Sequence, residues 1–529
     1  MKKSLVTIVV TASLFVVPAA QASEAPQYVL SANAAAEISV IATSGDLITG
    51  NILRGTPDGM GVMKNSNGTL SILSNHEISL SDKTVQLSKS TTGTWGSSIS
   101  KLTYDPTKKT ITKVENFINS ILYYDYSTGT WTSDYTKTVP TGFPAVDSYG
   151  GDTFSNGLNR FCSANLIPAG SLLYKEGKKT YGYDGAVYVT GEEGGDTSRG
   201  FVFDMAGNGV QIPKFGIAGF ENGLTNPKSG RATVTMLNED NGATNSQLYM
   251  YVGTKQEKGA NFAEKAGFTN GVLYTPAIKN IKNDNAFRAK YKKGTKAEVV
   301  FNALNTDLNY IDYTAQVQAL GMTFSRIEDG EWDPKNPNIY YFLTTESNKD
   351  AAATAVNPSE PNFSRDGGAL WKMTFADVKN PLKGATLEML LDGTESPYLS
   401  KPDNLAVDEN GYIVIQEDPG NNGHLSRVIA YRIADGKLGV IAEFDKNLFG
   451  PDSTSLITID EESSGIVNAN AFLKKSGDAA SYFFFNAQVH ATTSKARPDL
   501  TPSVDMDRIA IEGGQYYLLK ISDWSKIFA

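Results

Sequence analysis

Along this chain short apolar runs alternate with polar positions at a period of two, and Asn-Gly and Asp-Gly pairs punctuate them, the pattern of β-strands joined by tight turns. Few segments carry a helical period. One unit recurs without close identity: an apolar strand, an acidic or amide cluster at its end, a polar loop, and a second strand rich in aromatics. Its copies are 69–73 ending in Asn75-His76-Glu77, with 98–104 returning; 186–189 ending in Glu192-Glu193, with 200–203; and 232–237 ending in Asn238-Glu239-Asp240, with 247–252. They continue with 339–344 ending in Glu346, answered by 369–375; 412–415 ending in Gln416-Glu417-Asp418, answered by 426–433; and 481–485 ending in Asn486-Ala487-Gln488 and His490, answered by 515–521.

Six such hairpins predict an all-β fold, a six-bladed β-propeller with helical and loop insertions near 105–150, 255–320 and 347–366. Residues 23–529 are expected to form that one domain. If the clusters occupy equivalent places in successive blades, they converge on one end of the central channel, and polar groups far apart in sequence become neighbours in an axial pocket. Otherwise each acid caps a solvated loop of its own.

Within this pattern Phe324-Ser325-Arg326-Ile327-Glu328 reads as extended, which would put Phe324, Arg326 and Glu328 on one face. The Arg326–Glu328 pair is either a plain ion pair or half of a site where a cation-binding carboxylate stands beside an anion-binding guanidinium.

Composition and charge narrow the chemistry. Lys2-Lys3, an apolar stretch over 5–17 and Ala20-Gln21-Ala22 before Ser23 mark residues 1–22 as a secretory signal, so a periplasmic or secreted protein is expected. No later run of 18 apolar residues exists, so no membrane span is expected. The net charge of −9, or −11 once Lys2 and Lys3 are removed, argues against a nucleic-acid surface. Cys162 is the only cysteine and has no disulfide partner; it is either a small buried hydrophobe or a metal-binding or redox-active thiol. Many carboxylates and amides beside three histidines (His76, His424, His490) point to hard cations, calcium first, with Asp403, Asn404, Glu417, Asp418, Glu192 and Glu193 as oxygen donors. No G-x-S-x-G, H-E-x-x-H or Walker loop occurs.

Read together, Pro57-Asp58-Gly59-Met60-Gly61, Asn75-His76-Glu77, Arg160-Phe161-Cys162-Ser163, Thr190-Gly191-Glu192-Glu193, Gly219-Phe220-Glu221-Asn222, Arg326-Ile327-Glu328, Pro402-Asp403-Asn404-Leu405 and Phe485-Asn486-Ala487-Gln488 resemble, in order from about residue 45 to 520, the PhoX-type alkaline phosphatases. The resemblance implies a propeller whose axial pocket holds Fe3+ and Ca2+ and hydrolyses phosphomonoesters with a metal-activated oxygen as nucleophile. It implies Cys162 as a thiolate on iron, Glu221 and Glu328 as metal carboxylates, and Glu193 or Glu192 on calcium. Asn404 and Asn486 would be further metal ligands, and Arg326 the clamp on the phosphate of a small ester. Arg326, Glu328 and Cys162 are then the catalytic set, in a protein expected to be a monomer. Ser163-Ala164-Asn165-Leu166 departs from the family's glycines and Thr-Pro-Trp-Gly run, and Lys2-Lys3 departs from the twin-arginine signal of many relatives. Two other readings stand beside it: a calcium-dependent propeller lactonase or phytase, and a secreted propeller that binds calcium without catalysis.

Overall fold

Four-stranded antiparallel meanders with alternating buried faces recur six times around an axis. The computed structural model describes residues 25–80, 96–134, 157–195, 197–241, 246–308, 310–346, 356–357, 360–364, 367–421, 423–501, 507 and 509–528. The expected signal segment 1–22 lies outside them.

Each blade opens with an inner strand on the axis: Pro57–Lys64, Phe161–Ile167, Phe220–Thr225, Ile327–Trp332, Pro402–Asp408 and Glu461–Asn468. Each of these touches the next, and the last touches the first, so the ring is closed. The predicted strand pairs are present, as the second and third strands of each blade. Leu70–His76, Val187–Glu192, Ala232–Glu239, Ile339–Thr344, Tyr412–Glu417 and Ser481–Thr492 are the second strands, and their partners are the third.

Both faces of the middle strands are covered, as the unbroken burial of Leu70–His76 and Val187–Glu192 shows. What covers them is a hydrophobic cluster at each of the six blade junctions. Between blades three and four, for example, Trp371 is fully buried against Phe287, Phe324 and Phe342. The N-terminal strand Ala36–Thr43 adds to Glu512–Ile521 as the outer strand of blade six, and Val29–Ser31 does the same for blade five.

Parts of the expected insertions 105–150 and 255–320 belong to the propeller itself, Val272–Ala277 being the fourth strand of blade three. Much of 105–150 is propeller: Thr110–Asn116 completes blade one, and Ser120–Asp125 and Thr130–Thr132 extend the edge of blade two. Residues 135–150 of that range are outside the described set. The range 255–320 holds the helices Phe262–Ala266, Asp284–Lys290 and Tyr310–Leu320, the first two capped by Asn261 and Asn283 accepting from backbone amides. Its strand Lys296–Leu304 joins blades three and four by pairing with Ala385–Leu391. Of 347–366 the described part is a hairpin, Val356–Asn357 with Glu360–Ser364.

Candidate metal centre

The inner strands are irregular, each at the same place. Pairing with the second strand slips between Pro57 and Met60, Phe161 and Ala164, Phe220 and Asn222, Ile327 and Gly330, Pro402 and Leu405, and Ser464 and Ile466. A β-bulge leaves residues unpaired and re-aims their side chains. In five blades the first bulged residue is Asp58, Cys162, Glu221, Glu328 or Asp403, so all five are delivered to one end of the channel. In four of these blades the residue two before it has a positive φ: Thr56 (41°), Arg160 (45°), Arg326 (57°) and Lys401 (45°). Non-glycine residues hold such angles at a cost of about 1–3 kcal/mol, and that strain collects at functional sites.

Close approach is built in. A Cβ on Gly59 would lie 2.2 Å from the Ala164 nitrogen, and one on Gly465 would lie 2.3 Å from the Asp58 carbonyl oxygen, so only glycine lets these bulges meet.

Donor atoms of three overlapping groups lie within 4.8 Å of one another: Asp58, Glu77 and Cys162; Cys162, Glu193 and Glu221; Glu221, Glu328 and Asp403. Cys162 and Glu221 each belong to two. The Cys162 thiol donates to Asp58 Oδ2 at 3.2 Å. Burial, then the charges of Asp58, Glu221, Glu77 and Glu193, pushes this thiol up. Burial and neighbouring carboxylates likewise raise Asp58, Glu221, Glu328 and Asp403 well above the usual carboxylate range. Glu193 is pushed up to about 8 by burial against the opposing pull of Arg160, and Glu462 to about 7 by burial and Asp418. One buried oxygen each of Asp58, Glu221 and Glu328 has no hydrogen-bond partner among the described residues. So many mutually repelling carboxyls persist only with protons or cations among them. The residues therefore fit a multinuclear metal site: the thiolate suits a transition metal such as iron, the carboxylates suit calcium.

The expected residues divide. Cys162, Glu193, Glu221 and Glu328 come together. Glu192 does not: its carboxylate is locked by buried Arg199 through Nε at 2.8 Å and Nη2 at 2.7 Å, because neighbours on a strand face opposite ways. Glu417 is held similarly by Arg427, and burial is outweighed there by Arg427 and His424, which take it down to about 2. Asn404 donates to Ser163 Oγ and accepts from the Gly465 amide, bracing three inner strands. Asn486 donates to the Asp58 carbonyl, and its Oδ1 is buried without a hydrogen-bond partner among the described residues.

The stretch around Arg326 is not continuously extended. Thr323–Phe324 pairs with the third strand of blade three, and the positive φ of Arg326 then turns the chain into its inner strand. Phe324 thus faces the interblade core while Arg326 faces the cluster. The guanidinium lies 2.6 Å from Asp240, 3.7 Å from Glu328 and 3.8 Å from Glu346. Burial opposes its charge, but Glu328 and Asp240 hold it firmly protonated.

Asp58, Glu77, Asp240 and Arg160 were not singled out from sequence as site residues. For Asp58 a sequence signal exists in the Pro-Asp pair that it shares with Pro402-Asp403; Glu77, Asp240 and Arg160 carry no such signal. His76 is a structural histidine, bonded to the Gly55 carbonyl and Ser100 and lowered to about 3 by burial. His490 sits between Glu512 at 2.9 Å and Glu462 at 3.8 Å; burial opposes its charge, yet these carboxylates raise it. Beyond the cluster, Asn222 binds Asp329 at 2.6 Å, and past this layer all six inner strands line a separate cavity of about 300 Å³.

A closed all-β propeller with a thiol and a set of uncompensated buried carboxyls at one end of its axis defines a metal-binding propeller. Comparison with known proteins then specifies the kind. The profile of the alkaline phosphatase PhoX family matches residues 194–465, just over half of the chain, and the chain belongs to that family. It is accordingly a metal-dependent phosphatase, a phosphoric monoester hydrolase. PhoX of Pseudomonas fluorescens, solved with vanadate, a transition state analogue, matches with a TM-score of 0.60 at 12% identity, over 96% of this chain and 98% of that one. At that identity the likeness is one of fold. A luciferin-regenerating enzyme (TM-score 0.30, 10% identity, 88% and 92% coverage) and the polysaccharide lyase Uly1 (0.31, 8%, 90% and 93%) are too distant to carry an argument. No curated protein sequence matches the chain. Family members are typically periplasmic or secreted, and no helix among the described residues is long and apolar enough to cross a membrane.

Proposed function

We propose that the acidic end of the channel hydrolyses small phosphomonoesters using iron and calcium, with Arg326 holding the phosphoryl group. The observation that carries this is the convergence of Cys162 with Asp58, Glu77, Glu193, Glu221, Glu328 and Asp403 in three overlapping donor groups. Cys162 with Asp58, Glu77, Glu193 and Glu221 would hold iron, and Glu221, Glu328 and Asp403 would hold calcium. Asn486 Oδ1 is a further candidate donor. Bound there, the cations supply positive charge at the phosphoryl oxygens and activate the attacking oxygen.

The rest falls to side chains. Arg326 presents a planar fork suited to two phosphoryl oxygens, and Asp240, bonded to Nε and Nη2, sets its orientation. Glu328 beside it ties the clamp to the cation site. Asn222, Asp329, Asn404 and Gly465 form hydrogen bonds beneath the cluster, and substrate would enter from the opposite side. A calcium-only lactonase or phytase would leave Cys162 without a task, and so would a non-catalytic calcium-binding propeller.

We also propose that residues 1–22 direct export to the periplasm or beyond, and that the mature protein is one propeller domain acting as a monomer. The test of the central reading is elemental analysis of purified protein with a p-nitrophenyl phosphate assay before and after chelation. We expect bound iron and calcium, loss of turnover on chelation, and recovery only when both are returned. Full turnover in metal-free protein would sink it.

A further inference from the structure

Arg160 and Arg326 stand at the same place in blades two and four. Each immediately precedes its inner strand at positive φ, 45° and 57°, and each lies two residues before a side chain of the cluster, Cys162 and Glu328. Arg160 Nη2 is 3.0 Å from Glu193 and also contacts Glu77; Arg326 holds Asp240 and reaches Glu328. Glu193 links them: it is bonded to Arg160, and its charge acts on Arg326.

The purely structural arginines of this fold look different. The side chain of Arg199 is 1% exposed and locks Glu192, and that of Arg427 is 10% exposed and locks Glu417. Those of Arg160 and Arg326 are 25% and 27% exposed, and the acids they hold belong to or border the cluster. Their guanidinium groups stay partly open to solvent beside the cluster.

We propose that Arg160 is a second phosphate-binding residue, linked to Arg326 through Glu193, so that the phosphoryl group is held from two sides. This rests on the phosphatase reading of the site and adds a substrate preference to it. Two guanidinium groups beside one anion favour the dianion of a monoester over the single charge of a diester.

The experiment compares wild type, Arg160→Gln and Arg160→Lys as metal-loaded full-length protein. It measures inorganic phosphate affinity by calorimetry, metal content by elemental analysis, and kcat and KM for p-nitrophenyl phosphate and bis(p-nitrophenyl) phosphate. Arg160→Gln should bind phosphate at least tenfold more weakly with metal content unchanged, and should raise KM for the monoester more than for the diester. Arg160→Lys, which keeps the charge but not the fork, should fall in between. Phosphate affinity equal to wild type in Arg160→Gln overturns the proposal. So does a loss that merely tracks lost metal, or wild-type protein that binds no phosphate. If Arg160→Gln does not fold, wild-type phosphate affinity in Arg160→Lys overturns it. Wild-type protein that binds phosphate yet hydrolyses neither ester would defeat the phosphatase reading while the calorimetry still judged Arg160.

Discussion

Replacing Arg326 by Ala separates two tasks whose sizes differ. The first is electrostatic support. Its guanidinium is a quarter exposed, whereas the side chains of Asp240 and Glu328 are 5% and 3% exposed. Removing one partner of a fully buried pair costs about 3–5 kcal/mol, and removing one from an exposed pair about 0–1. The geometry lies between these limits, so metal-free Arg326→Ala should lose about 2 kcal/mol, a fall in Tm of a few degrees. Cations at Glu328 offset the lost charge, and the fall should shrink in loaded protein. The second task is the clamp, which acts only when phosphate is present. Losing a preorganised donor to a developing charge costs about 10²–10³-fold in rate. We therefore expect kcat/KM for p-nitrophenyl phosphate to drop by about that factor in loaded protein that is otherwise folded. Calorimetric melting with and without metals, beside steady-state kinetics, reads both. Turnover within threefold of wild type at full metal content would refute the clamp.

Three further outcomes follow from the same geometry. Cys162→Ser should lose iron but keep calcium at the site of Glu221, Glu328 and Asp403; unchanged iron by elemental analysis would exclude the thiol as a ligand. In metal-free protein Glu193 is pushed up to about 8 and Glu462 to about 7, so the folded state binds protons that the unfolded state has already released. Its melting temperature should accordingly fall as pH rises from about 4.5 to 8, and metals should abolish that slope; a rise over the same window contradicts the assignment. Glu192→Gln leaves Arg199 buried without its counter-charge, which should cost about 3–5 kcal/mol while the protein that folds keeps its metal content; metal loss at unchanged stability would return Glu192 to the metal site.

How much of this was legible follows from where regular patterning holds. The second and third strands are buried on both faces between blades, so runs such as 187–192 and 369–375 announce themselves as strands, and six of them count the blades correctly. The inner strands escape because each is interrupted at its functional end. Pro57-Asp58-Gly59 and Pro402-Asp403-Asn404 put turn-forming residues where the strand bulges, and the recurring acidic clusters lie on the neighbouring strand. Glu192 and Glu193 cannot be told apart by spacing; Arg199, seven residues on, decides between them only once the hairpin is closed. Arg326 and Glu328 do meet, but through a left-handed residue and a bulge that alternation does not anticipate.

The sheet that joins Ala36–Thr43 to Glu512–Ile521 has a consequence for when this protein becomes competent. Asp58 is fixed by Asn486 and approached by Gly465, so its final position awaits residues made more than four hundred positions later. A nascent chain lacking its last strand has no latch between its ends, and a stop codon near residue 510 would abolish the cation pocket although every ligand had already been translated.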